Sequence, residues 1–259
     1  MKFLIYFLST SLLLVSCSSN NSKAQLEKTL KDNPKLISEL FIENPTLFME
    51  AFQKMAMKAK QEAYKGREKT EEEEIARYLK APMAFSIRDD EAIRGNKDAQ
   101  ITIVEYSDYQ CPFCLKGMNT LKSLLDKYPK QVRVIYKHLP IDSIHPQARL
   151  ASSYYEAIRM KSDKKAFAFH DEALQNQQRI RMGEKYLQSL VKKLGLNIAE
   201  IKKLAKSDSV AKRIRDDIQE AQENGFSGTP GFIVAGVPVR GAYPLAHFEK
   251  IINRALKKN

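Results

Sequence analysis

The sequence predicts an α/β protein with an inserted helical domain, preceded by an N-terminal helical segment. Three observations predict it: an apolar, strand-like run that turns into a helix at Cys111-Pro112-Phe113-Cys114, helical periodicity between about residues 145 and 223, and two short β-rich runs after Thr229-Pro230. With 43% hydrophobic residues and only ten each of Gly and Pro among 259, the chain reads as globular, and its larger part can bury a full core.

The first element is a leader. Lys2 precedes an apolar stretch from Phe3 to Val15, short for a transmembrane helix and laid out like an export signal. Leu14-Val15-Ser16-Cys17 resembles the lipobox of bacterial lipoproteins, whose cysteine is lipidated and becomes the new N-terminus; a plain secretory signal is the alternative. The expected organisation is a signal peptide over 1–16 and a tether over 17–25, flexible through the run Ser18 to Ser22. The resemblance to lipoprotein sorting signals, with Ser18 rather than Asp after Cys17, leans towards the outer membrane, at the periplasmic face of a bacterial membrane.

Residues 26–81 are expected to be helical. Asp32 to Ile42 and Glu43 to Gln53 repeat an Asn-Pro start and matching apolar positions, with asparagine as the expected cap and proline at the first helical position. Leu36, Ile37, Leu40, Phe41, Leu47, Phe48, Phe52 and Met55 make a large apolar face, which reads as a homo-oligomerisation module within 26–57. The alternative is two short helices folded onto the domain that follows. Lys58 to Lys80, rich in Glu and Lys, reads as a solvated helical connector.

Gln100 to Tyr106 is the expected first strand of the domain over 82–259, and the helix after it carries Leu115, Met118, Leu121, Leu124 and Leu125 at helical spacing. Cys111 and Cys114 sit at the junction. With Cys17 assigned to the leader they are the remaining thiols, and the four scattered histidines offer no ligand spacing, so neither a metal site nor a cofactor is expected. A bridge between residues three apart closes too small a loop to remove much chain entropy, which makes a purely structural disulfide a poor explanation. At the helix start, unpaired amides and the helix dipole favour a thiolate at Cys111, while Cys114, one turn in, is shielded as a resolving thiol. Glu105 is unusual in so apolar a run; it reads as a buried proton relay to Cys114, with a solvated edge residue as the alternative.

The stretch from His145 to Glu223 carries apolar residues every three or four positions and is expected as the helical insertion, about 145–223, with Tyr154, Tyr155, Phe167 and Phe169 as core. Strands are expected over Phe232 to Ala235 and Val237 to Arg240, with a proline at the first strand's entrance that suits a turn or a cis bond. An amphipathic helix closes the chain.

Over residues 82–259, "IVEYSDYQCPFC", "VIYKHLPI" and "SGTPGFIVAG" resemble the thioredoxin superfamily, and within it the DsbA-like disulfide oxidoreductases and their lipoprotein relatives. The resemblance implies a thioredoxin-like fold and an enzyme that forms or reshuffles disulfide bonds in exported proteins through Cys111 and Cys114. Thr229 and Pro230 inherit the substrate-pairing position, and Pro112 and Phe113 join them as substrate-facing residues. Threonine before the proline is similar to the isomerase-like branch. Pro112-Phe113 replaces the Pro-His of the best-known oxidases, which removes a thiolate-stabilising group. Two alternatives stand: an isomerase or reductase kept reduced by a partner, and a non-catalytic surface lipoprotein. The implied partners are exported proteins with cysteines, a membrane redox partner that is oxidising or reducing, and the lipid anchor. The net charge of +12 is assigned to a solvated surface or anionic lipid, since no nucleic-acid motif accompanies it.

Overall fold

The computed structural model describes residues 19–258, and the chain divides into two compact units, one ending at Lys69 and one starting at Thr70. The leader over 1–16 and the lipidation candidate Cys17 lie outside the described residues.

The first unit contains α1 (Ser19–Asp32), α2 (Pro34–Glu43) and the start of α3 (Pro45–Lys80). Each proline opens its helix, where a missing amide donor costs nothing. The asparagines act differently from expectation. The Asn33 side chain donates to the Thr29 carbonyl at 3.1 Å and the Asn44 side chain to the Leu40 carbonyl at 3.4 Å, so each closes the helix before it. The last carbonyls of a helix need donors, and the asparagine amide supplies one. Phe41 and Phe48 stack with ring centroids 3.9 Å apart, while Leu40, Phe41, Leu47, Phe52 and Met55 are exposed.

In the second unit a five-stranded sheet has the order β1-β3-β2-β4-β5, from β1 (Ile93–Gly95), β2 (Ile101–Ser107), β3 (Val132–His138), β4 (Gly231–Val234) and β5 (Val237–Arg240). β2 runs parallel to β3 and antiparallel to β4, and every one of its residues is buried, which is why it reads as a continuous apolar run. Alternation along β2 sorts the core. Ile101 and Ile103 pack with α4 (Pro112–Lys127) and α11 (Leu245–Lys258), while Val104 and Tyr106 pack with Ile233, Ala221 and Phe226 on the other face.

Between β3 and β4 lie α5 (Ala148–Arg159), α6 (Asp163–Gln175), α7 (Gln177–Ile180), α8 (Glu184–Lys193), α9 (Ile198–Ala205) and α10 (Asp208–Glu223). Ser162, Asn197 and Ser207 cap α6, α9 and α10 with side-chain oxygens that accept amides of the first turn. Tyr154, Tyr155 and Phe169 are buried in the insertion's core, and that core is continuous with Tyr109, Cys111, Cys114 and Met118. The insertion therefore backs the cysteine pair directly.

The connector departs from its solvated reading at its end. Ile75 is 2% exposed and packs with Tyr78 and Leu79 in the same core as α11. Burying one isoleucine stabilises by about 1.5–3 kcal/mol, while the glutamates before it stay at least partly exposed.

Candidate active site

β2 delivers the chain to a tight turn whose organising residue is Asp108. Its Oδ1 accepts the Gln110 amide at 2.7 Å and its Oδ2 accepts the Ile141 amide at 2.7 Å, with His145 Nδ1 at 3.0 Å from the same oxygen. Asp108 is fully buried, and its own amide points at Cys114 Sγ, 3.4 Å away. The turn is thereby fixed to the segment after β3. Cys111 follows as the N-cap of α4 in extended geometry (φ −76°, ψ 118°), with Pro112 in the first turn.

Three groups hold Cys111. Gln177 Nε2 donates to its carbonyl at 2.7 Å, its amide donates to the Asp108 carbonyl at 3.2 Å, and its thiol donates to the Thr229 carbonyl at 3.3 Å. The Thr229-Pro230 bond is cis. α4 approaches the proline loop closely because residue 117 is glycine: a Cβ there would lie 2.9 Å from Phe232 Cζ and 3.4 Å from Pro230 Cγ.

The pair is electrostatically split. A hydrogen bond from Cys114 is the largest influence lowering the Cys111 thiol, to about 6; burial opposes it, and Thr229 with the amides of Phe113 and Cys114 adds to it. The ionised sulfur is therefore supported by Cys114, by Thr229 and by the amides of the helix end. Burial pushes Cys114 well above the ordinary thiol range, and the neighbouring Cys111 raises it further. One sulfur is prepared to ionise and the other to keep its proton.

Glu105 sits in the middle of β2, opposite Tyr136 on β3 and Phe232 on β4, and is 1% exposed. The solvated edge alternative therefore does not hold. Burial raises its carboxyl to about 7, with the Arg94 guanidinium opposing in part. A carboxyl near 7 exchanges protons at neutral pH. Pro112 and Phe113 are exposed beside Cys111, Phe113 at 62%. The structure thus brings Cys111, Cys114, Thr229, Pro230, Pro112 and Phe113 together, with Glu105 in the strand below.

Asp108, His145 and Gln177 are not among the residues that the sequence singles out, and the four scattered histidines show no ligand spacing there. An aspartate just past a strand is a frequent turn signal, and that was the one available hint for Asp108. His145 and Gln177 are 34 and 66 residues from Cys111 and carry no local pattern. Among the described residues no group of three or more histidine, cysteine or carboxylate side chains is placed to hold a metal ion.

A family model described as thioredoxin matches residues 88–254. The chain belongs to the thioredoxin family. Among solved structures, a thioredoxin-like oxidoreductase from Silicibacter pomeroyi DSS-3 is 26% identical, with a TM-score of 0.58, over 66% of this chain and 94% of that one. The thiol-disulfide exchange protein alpha-DsbA2 from Wolbachia pipientis shares the fold at 20% identity and a TM-score of 0.57, over 73% of this chain and 97% of that one. The likeness to alpha-DsbA2 is one of fold, a mixed sheet with helices between β3 and β4. A curated relative, the Na(+)/H(+) antiporter NhaA 1 of Salinispora arenicola, is 30% identical over 168 residues, which is 64% of this chain and 25% of the antiporter. The chain thus spans about a quarter of the length of the curated relatives it matches.

Proposed function

We propose that this protein is a thiol-disulfide oxidoreductase that forms or reshuffles disulfide bonds in exported proteins. The observation that carries the reading is the split pair: an acidic Cys111 thiol at the start of α4, 3.3 Å from the carbonyl that precedes a cis proline, with a high-pKa Cys114 behind it. With the pair oxidised, a substrate thiolate attacks Cys111, the bond to Cys114 breaks, and Cys114 leaves as a thiolate that takes up a proton. A second substrate thiol attacks the mixed disulfide and releases Cys111 as a thiolate, so two electrons pass from the substrate dithiol to the cysteine pair. Thr229 and Pro230 present backbone to the substrate strand, Pro112 and Phe113 border it, and Glu105 exchanges the proton of Cys114.

Stabilising the Cys111 thiolate favours the reduced pair and makes the bridge oxidising, which supports donation of disulfides. Reshuffling is the second reading. It is favoured by the exposed apolar face around Phe41 and Phe52, which as an oligomerisation surface within 26–57 would hold several sites around one misfolded substrate. Export, lipidation at Cys17 and a membrane redox partner complete the proposal. The deciding experiment combines the redox equilibrium of Cys111/Cys114 against glutathione with turnover of scrambled ribonuclease. An oxidising pair without reshuffling identifies an oxidase and efficient reshuffling an isomerase; a pair inert in both assays overturns the enzymatic reading in favour of a scaffold.

A further inference from the structure

Beside the cis proline lies a cavity of about 270 Å³, walled by Phe226, Ser227, Gly228, Thr229, Arg240 and Gly241. That is small for a metabolite and suits a single side chain. Gly225, Gly228 and Gly241 bring no side chain to its wall, and Arg240 is the charged residue in it. Arg240 ends β5, opposite Gly231 in the strand register and so next to Pro230, whose carbonyl accepts the Gly241 amide at 2.9 Å.

Arg240 differs from the arginines of the domain's interior. Arg88, Arg94, Arg159 and Arg213 are each matched to a carboxylate. Arg240 instead lies over the Phe226 ring, 5.4 Å from its centroid, and commits its Nε to the Gly225 carbonyl at 3.4 Å. These contacts aim the guanidinium and leave its outer donors for a planar acceptor. A guanidinium fork matches a carboxylate geometrically, which a lysine would not.

We propose that the cavity is a carboxylate-accepting subsite, in which Arg240 selects polypeptides carrying an aspartate or glutamate beside the cysteine that reacts with Cys111. The inference rests on the exchange reaction proposed above. Thr229, which joins cavity and sulfur, has its carbonyl 3.3 Å from Cys111 Sγ, so an extended substrate at about 3.3 Å per residue reaches the cavity within about three residues of its own cysteine. Ser227 and Gly228, both exposed, leave the entrance open.

The test uses the oxidised full chain and two-cysteine peptides that differ only in having Glu, Gln or Lys flanking the first cysteine, with peptide oxidation followed by acid quench and mass spectrometry. A neighbouring carboxylate also changes the peptide thiol itself, so the readout is the Glu-to-Gln rate ratio in the wild type divided by that in Arg240→Gln. The expected value is about two- to fivefold at low salt, the range of an exposed ion pair, shrinking towards one as ionic strength rises. Lys97→Gln, which removes a positive charge at the far end of β2, should leave the ratio unchanged. A ratio of one, or an equal change in Lys97→Gln, overturns the subsite while leaving the exchange reaction intact. Failure of every peptide to be oxidised by any variant overturns the reaction itself and the subsite with it.

Discussion

Replacing Cys114 with alanine removes the hydrogen bond that contributes most to the acidity of Cys111, so the Cys111 thiol should rise from about 6. A hydrogen bond to a charged group contributes about 1.5–3 kcal/mol and one pH unit corresponds to 1.36 kcal/mol, which places the rise at about one to two units. The amides of Phe113 and Cys114 remain, so the thiol stays below its ordinary value. The assay is the pH dependence of iodoacetamide alkylation in a chain starting at Ser18, where Cys111 is the only thiol of the C114A variant. Linkage supplies a second readout. A depressed acid stabilises the reduced fold fully above the unfolded value, here 9.0, and that stability is lost as pH falls through about 6. The reduced wild type should therefore gain on the order of 2 kcal/mol over C114A across that window, less than the full shift implies because the sulfur lies at a partly wetted helix end. An alkylation midpoint that stays at about 6 in C114A would refute the role given to the Cys114 hydrogen bond and leave Thr229 and the helix-end amides as the causes.

The remaining predictions concern the surroundings of the pair. Burial raises Glu105 from 4.5 to about 7, so wild-type stability should fall by up to about 3 kcal/mol as pH rises through that window; urea denaturation of Glu105→Gln should show a smaller fall, and identical profiles would contradict a buried, titrating carboxyl. Gly117→Ala gains helix propensity of about 1 kcal/mol but drives a methyl to 2.9 Å from Phe232, costing about 1–3 kcal/mol, so thermal unfolding should show a net loss of order 1 kcal/mol. If 26–57 assembles subunits, the chain from Ser18 should sediment as a dimer or trimer and a fragment from Thr70 as a monomer; a monomeric longer chain would contradict assembly.

Most of the architecture was legible because it is written in local periodicity. The apolar run into β2, the proline after Cys111 and the Thr229-Pro230 entrance to β4 each carry their signal within a few residues. β1 was not legible: Ile93–Gly95 is three residues long and pairs antiparallel with β3 across some forty positions. Ile75 was hidden by the glutamates at 71–74, because burial of one position on a helix does not alter the charge of the others. The cysteines, the proline loop and Glu105 were visible as odd residues in their settings. Asp108, His145 and Gln177 owe their places to tertiary closure, which no spacing in the sequence encodes.

The most direct test of the account is a comparison of Cys114→Ala with Cys111→Ala in trapping a reduced or scrambled protein as a disulfide-linked adduct on non-reducing gels. A stable mixed disulfide should accumulate in Cys114→Ala, where Cys111 reacts and nothing resolves the bond, and Cys111→Ala should trap almost none because its remaining thiol is buried and held protonated. Equal trapping by both variants, or stronger trapping by Cys111→Ala, would contradict the assignment of Cys111 as the attacking sulfur.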